Sequence, residues 1–163
     1  MQSKVVKVTQ LNSKYENIET IKESEYNKKE LEETKEDIWQ IKIPKINLIA
    51  PISEGTSQEV MLEYVGHFEN TSKWEGNVGL AAHNRGYPIN YFSKLKELKN
   101  EDNIIYNTEF GIKTYAVKTI KIIEDTDWSY LQNTKENKIT LITCVENKPN
   151  QRLCIQGIEI KEE

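Results

Sequence analysis

After residue 37, apolar and polar residues alternate with a period of two along most of the chain, as half-buried strands require. In Ile38-Trp39-Gln40-Ile41-Lys42-Ile43, the residues Trp39, Ile41 and Ile43 share one face, and Pro44 ends the run. Lys45 to Ile52 reads as a second strand, closed by the turn former Glu54-Gly55. Ser57 is a capping residue, so Ser57 to Tyr64 predicts one or two helical turns. Asn77 to Ala82 is short, apolar and contains Gly, which suits a buried strand. Phe92, Leu95 and Leu98 recur every three residues and predict a brief helix within Tyr87 to Leu98. Asn103 to Asn107 reads as a strand, Thr108 to Gly111 as a turn, and Ile112 to Ile123 as a long strand. Asp125 to Asn137 is a loop holding Trp128 and Tyr130. Lys138 to Val145 and Arg152 to Ile160 are the last two strands, parted by Glu146-Asn147-Lys148-Pro149-Asn150. Short strands with turns between them indicate an all-β barrel or sandwich.

Composition divides the chain near Asp37. Residues 1–37 hold 7 Lys and 9 acidic residues and no Gly, Pro, Cys or Trp. A segment so charged buries too little apolar surface to fold alone. It reads as a charged N-terminal extension or tether, partly able to form a solvated helix over Lys14 to Asp37, with the domain proper at 38–163. With 37% hydrophobic residues in 163, the whole chain holds enough apolar side chains for one core. The net charge of −4 argues against nucleic acid as partner, because phosphate binding needs a basic surplus. Two Cys and two His exclude a Cys-rich zinc module. No run of about 18 apolar residues is present, so membrane attachment is expected only through an anchor outside this chain.

Three residues are the candidates for chemistry. Cys144 ends the strand Ile139-Thr140-Leu141-Ile142-Thr143-Cys144, where the sheet opens into a polar loop. A Cys is more often a small buried apolar residue, but this one sits where a thiol can meet solvent. Arg152 starts the returning strand, so a hairpin brings a permanent cation with several donors near the thiol, able to stabilise a thiolate or an oxyanion. His83 follows the apolar run Val78-Gly79-Leu80-Ala81-Ala82 at another strand end, and an imidazole there can shuttle protons near neutral pH.

The run Thr140-Leu141-Ile142-Thr143-Cys144 resembles the Thr-Leu-x-Thr-Cys signature of sortases, the cell-wall transpeptidases of Gram-positive bacteria. Leu80-Ala81-Ala82-His83 is similar to their strand-end His motif, Arg152 falls where their Arg does, and Ile43-Pro44-Lys45-Ile46-Asn47-Leu48 resembles the start of their barrel. The resemblance covers roughly residues 38–160. It implies an eight-stranded β-barrel with a few short helices, with Cys144 as nucleophile, His83 as acid/base and Arg152 as electrostatic stabiliser. Thr143 would then help to bind the substrate backbone. It also implies cleavage of a Leu-Pro-x-Thr-Gly-like sorting signal through a thioester. The acyl group would pass to an amine of a peptidoglycan precursor or a pilin, at the extracellular face of the membrane, without metal or cofactor. Gly66-His67-Phe68 and Trp74-Glu75-Gly76-Asn77 resemble a region of class C and D enzymes, and the absence of an Asp-Pro-Trp or Asp-Pro-Phe lid motif leaves class D.

Other readings stay open. An L,D-transpeptidase also uses Cys, His and Arg, but its signature puts Arg two residues after Cys, where Glu146 stands. A non-catalytic adhesion or pilus module would use Trp74, Trp128 and Tyr130 as a binding surface. Two residues compete with the proposed site. His67 is the other histidine, near a turn, and reads as structural. Cys154 shares a face with Arg152, and in a hairpin centred on Pro149 it would stand opposite Cys144, where a disulfide would block the nucleophile.

Overall fold

The computed structural model describes residues 38–161; residues 1–37, where the charged extension or tether was expected, and residues 162–163 lie outside them. Eight strands make a closed barrel: β1 (Gln40–Ile43), β2 (Leu48–Glu54), β3 (Val65–His67), β4 (Asn77–Ala81), β5 (Asn103–Thr108), β6 (Gly111–Glu124), β7 (Lys138–Val145) and β8 (Lys148–Glu159). Their order around the barrel is β1-β2-β3-β4-β7-β8-β6-β5, closed by the pairing of β5 with β1. Two neighbouring pairs, β2 with β3 and β4 with β7, are parallel, and the rest are antiparallel.

The period-two reading sorts the side chains as expected. Ile41 and Ile43 of β1 are fully buried, as are Leu80, Ile104, Tyr106, Tyr115, Ile139, Leu141 and Ile155. These and their neighbours form one interior cluster, into which Phe92, Leu95 and Leu98 also pack. A closed barrel leaves no sheet edge unpaired, so backbone groups are satisfied without covering layers. The expected helix before Leu98 is a single 3₁₀ turn, Leu95–Glu97. The helix after Ser57 is one turn, α1 (Gln58–Met61), with Ser57 Oγ accepting from Val60 N at 3.2 Å.

Three features differ from the sequence reading. β3 is an extra strand of three buried residues where a turn was expected. Its central Gly66 lies so close to β2's end that a Cβ there would collide with Gly55 O. The second strand begins at Leu48 rather than Lys45, because Pro44–Ile46 forms a 3₁₀ turn that Asn47 ends at φ 52°. The last strand begins at Lys148, four residues early: the connection is the two-residue turn Glu146-Asn147, with Asn147 at φ 61°. Asn is among the few residues that accept that left-handed conformation.

Candidate active site

β4 and β7 run parallel in a fixed register that pairs Asn77 with Lys138 and Ala81 with Ile142. Side chains repeat every two residues on one face of a strand. One such step past Ala81 and Ile142 brings His83 level with Cys144. The register persists beyond the last backbone rung, Ala82 N to Ile142 O at 3.4 Å. Thr143 Oγ1 donates to Ala82 O at 2.8 Å, Asn84 Nδ2 donates to Cys144 O at 2.7 Å, and Arg85 pairs with Glu146 at 2.8 Å. Adjacent strands lie about 4.8 Å apart, so a thiol and an imidazole at level positions on one face can meet.

On the other side of β7, Cys144 pairs directly with Arg152 of β8, and Arg152 with Ile123 of β6. Three neighbouring strands, β7, β8 and β6, thus carry Cys144, Arg152 and Ile123 at one level, with His83 two residues past the end of β4. The pairing of β7 with β8 shifts register between Cys144 and Val145, an irregularity of the kind that re-aims a side chain beside a site. Cys144 is exposed and Thr143 buried, so the thiol faces out of the barrel.

The three residues line a cavity of about 540 Å³. Its apolar surfaces come from Met61, Phe68, Ile123, Trp128, Leu131 and Ile142. Trp128 and Leu131 belong to a 3₁₀ turn inside the β6–β7 loop, started by Asp127 capping Ser129 N. Gly79 of β4 packs tightly against two of these apolar residues: a Cβ there would lie 2.7 Å from Leu131, 3.0 Å from Thr71 and 3.1 Å from Phe68.

Arg152 is oriented by its own hairpin. Its Nη1 donates to Pro149 O at 2.9 Å and to Gln151 O at 2.8 Å. Among the described residues no carboxylate pairs with it, so its other N–H groups stay available to a ligand. The His83 ring stacks on Tyr87, centroids 3.6 Å apart and planes 9° from parallel. Burial lowers the His83 pKa from the ordinary histidine value, and its Nε2 is buried without a hydrogen-bond partner among the described residues.

The remaining candidates lie as follows. Thr143 is buried but also lines the cavity, and its hydroxyl donates to Ala82 O. His67 is fully buried away from the cavity, its Nδ1 2.6 Å from Glu54 Oε2 and its Nε2 2.8 Å from Ser72 O. Cys154 pairs with Ile142, not with Cys144, so the symmetric hairpin about Pro149 does not form. Both cysteines are free, and burial, with a smaller effect from Asp127, pushes the Cys154 thiol up to about 12. Asn84 and Tyr87 were not singled out from sequence; their adjacency to His83 was the available signal.

The sortase domain family matches residues 41–159, which contain every strand except the first residue of β1. A sortase A of Bacillus anthracis is 31% identical over 120 residues, covering 72% of this chain and 57% of that protein. A sortase D of Bacillus subtilis is 32% identical over 106 residues, covering 64% of this chain and 52% of that protein. Among solved structures, a pilus-related sortase C of Group B Streptococcus superimposes with a TM-score of 0.72 at 30% identity, covering 77% of this chain and 68% of that one. The chain therefore spans little more than half the length of the curated relatives it matches. Since the family match extends over nearly the whole barrel, this chain belongs to the sortase family.

Proposed function

We propose that the chain is the catalytic barrel of a cysteine transpeptidase that cuts a short sorting signal and transfers the carboxyl side to an amine. The observation that carries this reading is that His83, Cys144 and Arg152 line one cavity with apolar surfaces, Cys144 paired directly with Arg152. Cys144 is the nucleophile. His83 takes the thiol proton, the sulfur attacks the scissile carbonyl, and the displaced electron pair becomes an oxyanion facing the free N–H groups of Arg152. Collapse breaks the C–N bond, His83 protonates the departing amine, and a thioester remains on Cys144. An incoming amine attacks the thioester and gives its proton to His83. The C–S bond breaks, the new amide leaves, and Cys144 recovers its proton. One amide replaces another, so the sequence of steps balances without an oxidant or reductant. Burial favours the neutral imidazole at rest, the form able to accept the first proton.

The cavity's apolar surfaces suit the Leu-Pro end of a Leu-Pro-x-Thr-Gly-like signal. The substrates would be surface proteins bearing such a signal, and the acceptor an amine of a peptidoglycan precursor or pilin, at the outer face of the membrane. Among the described residues no helix is long and apolar enough to cross a membrane. Class D is the subclass we favour, and the sortase D relative is consistent with it. We assign Thr143 to fastening β7 to the end of β4 rather than to substrate contact.

The test is a panel of peptides varied across the five-residue signal, with and without an added amine, read by mass spectrometry. The reading expects cleavage at one bond, an amine-dependent ligation product, and neither from Cys144→Ala. Absence of turnover across the panel, with no selective labelling of Cys144, would instead favour a non-catalytic surface module.

A further inference from the structure

The backbone ladder between β4 and β7 ends just before the two residues whose relative placement matters most. Ala82 N makes the last backbone rung, at a stretched 3.4 Å to Ile142 O. From there the chain leaves β4: Gly86 turns at φ 83°, and Tyr87 returns to stack on His83. Cys144 O takes its donor across that gap from a side chain, Asn84 Nδ2, at 2.7 Å. Asn84 directly follows His83, so this bond ties the backbone beside the imidazole to the carbonyl of the nucleophile's own residue. The ring itself is held by its stack on Tyr87, and its Nε2 has no partner among the described residues.

We propose that Asn84 is a positioning residue: its carboxamide replaces the missing ladder rung and sets the distance and angle between His83 and Cys144. The inference rests on the reading of those two residues as acid/base and nucleophile. Thr143 makes a parallel tie one residue earlier, to Ala82 O, but that bond is buried and joins residues that do no chemistry. The Arg85–Glu146 pair one residue later joins two long, half-exposed side chains and constrains weakly, whereas the Asn84 bond, also solvent-exposed, joins a short side chain directly to backbone. Asn84 therefore makes the hydrogen bond that fixes the spacing at the level of the reaction. Displacement of a reacting group by about 1 Å can lower a rate on the order of a hundredfold without altering substrate affinity.

The experiment measures kcat and KM separately for a sorting-signal peptide with added amine, using the full chain and the variants Asn84→Ala, Asn84→Asp and Asn84→Gln. Cys144→Ala and His83→Ala are assayed alongside, and melting is followed for every variant. Asn84→Ala should lose about ten- to a hundredfold in kcat, with KM within about twofold and melting little changed. Asn84→Asp keeps the shape but turns a carboxylate oxygen toward Cys144 O, so it should fall below Ala. Asn84→Gln keeps the donor and should recover part of the loss. Wild-type kcat in Asn84→Ala, with Cys144→Ala and His83→Ala inactive, would overturn the positioning role and leave the catalytic reading intact. A loss that follows melting, or appears equally in KM, would overturn it as a merely structural effect. Turnover retained by Cys144→Ala or His83→Ala would overturn the catalytic reading, and the proposal with it.

Discussion

Replacing Arg152 separates three things its guanidinium can do. Its Nη1 spans Pro149 O and Gln151 O, and its remaining N–H groups point to no carboxylate among the described residues. If the side chain only tied the hairpin, Arg152→Ala would remove two bonds at a partly exposed site, together about 1 kcal/mol of stability. That corresponds to a fall in Tm of roughly 4 °C for a domain of this size, with little effect on rate. If it stabilises the oxyanion above Cys144, the loss appears in the rate instead. A donor aimed at a developing oxyanion is typically worth about 10²–10³, or about 2.7–4 kcal/mol of barrier. We therefore expect Arg152→Ala to lower kcat/KM by at least about a hundredfold, with a Tm change of only a few degrees. Arg152→Lys restores charge but cannot span two carbonyls and still present a planar fork to substrate, so it should recover only a small part. The assay is initial-rate mass spectrometry on a sorting-signal peptide, paired with thermal unfolding of the same samples. Near-wild-type turnover in Arg152→Ala, with a lowered Tm, would refute the electrostatic role and leave only the hairpin tie.

Three further outcomes follow from the same geometry. Gly79→Ala forces a Cβ against Leu131, Thr71 and Phe68, so overpacking should cost about 1–3 kcal/mol and raise KM by moving the cavity wall; unchanged Tm and KM would contradict that packing. Iodoacetamide near pH 8 should modify exposed Cys144 in the native protein, and Cys154, whose thiol burial pushes up to about 12, only after denaturation; native labelling of both would be inconsistent with the barrel as described. The His83 pKa is lowered in the fold, so the unfolded chain binds more protons at this residue between that value and about 6.5. Stability from this residue is therefore present above about 6.5 and lost as pH falls toward the folded value, and wild type should lose Tm relative to His83→Gln on acidification, an outcome absent if the two curves stay parallel.

What the sequence determined by itself is the local content of the barrel. β7 runs from Lys138 to Val145 as read, because an apolar run flanked by polar residues leaves no other strand boundary. The burial of Ile41 and Ile43, and of Phe92, Leu95 and Leu98, followed from spacing alone. Cys144, His83 and Arg152 stood out as candidates because residue type and local pattern are read from the chain itself, although Arg152 lies inside β8 rather than at its start. Tertiary structure decided everything that depends on register. β3 is three residues around a glycine, too short for periodicity, and exists because β2 and β4 supply both its partners. The start of β8 at Lys148 depended on Asn147 accepting a left-handed turn, and the register shift between Val145 and Cys144 then set Cys144 opposite Arg152 rather than Cys154. The meeting of His83 with Cys144, residues about sixty positions apart, comes from the parallel register of β4 on β7. The place of Asn84 opposite Cys144 O follows from the ladder running out two residues before it. Pattern along a strand is written in its own residues, whereas register is a relation between strands, and pairing across the closed barrel decides it.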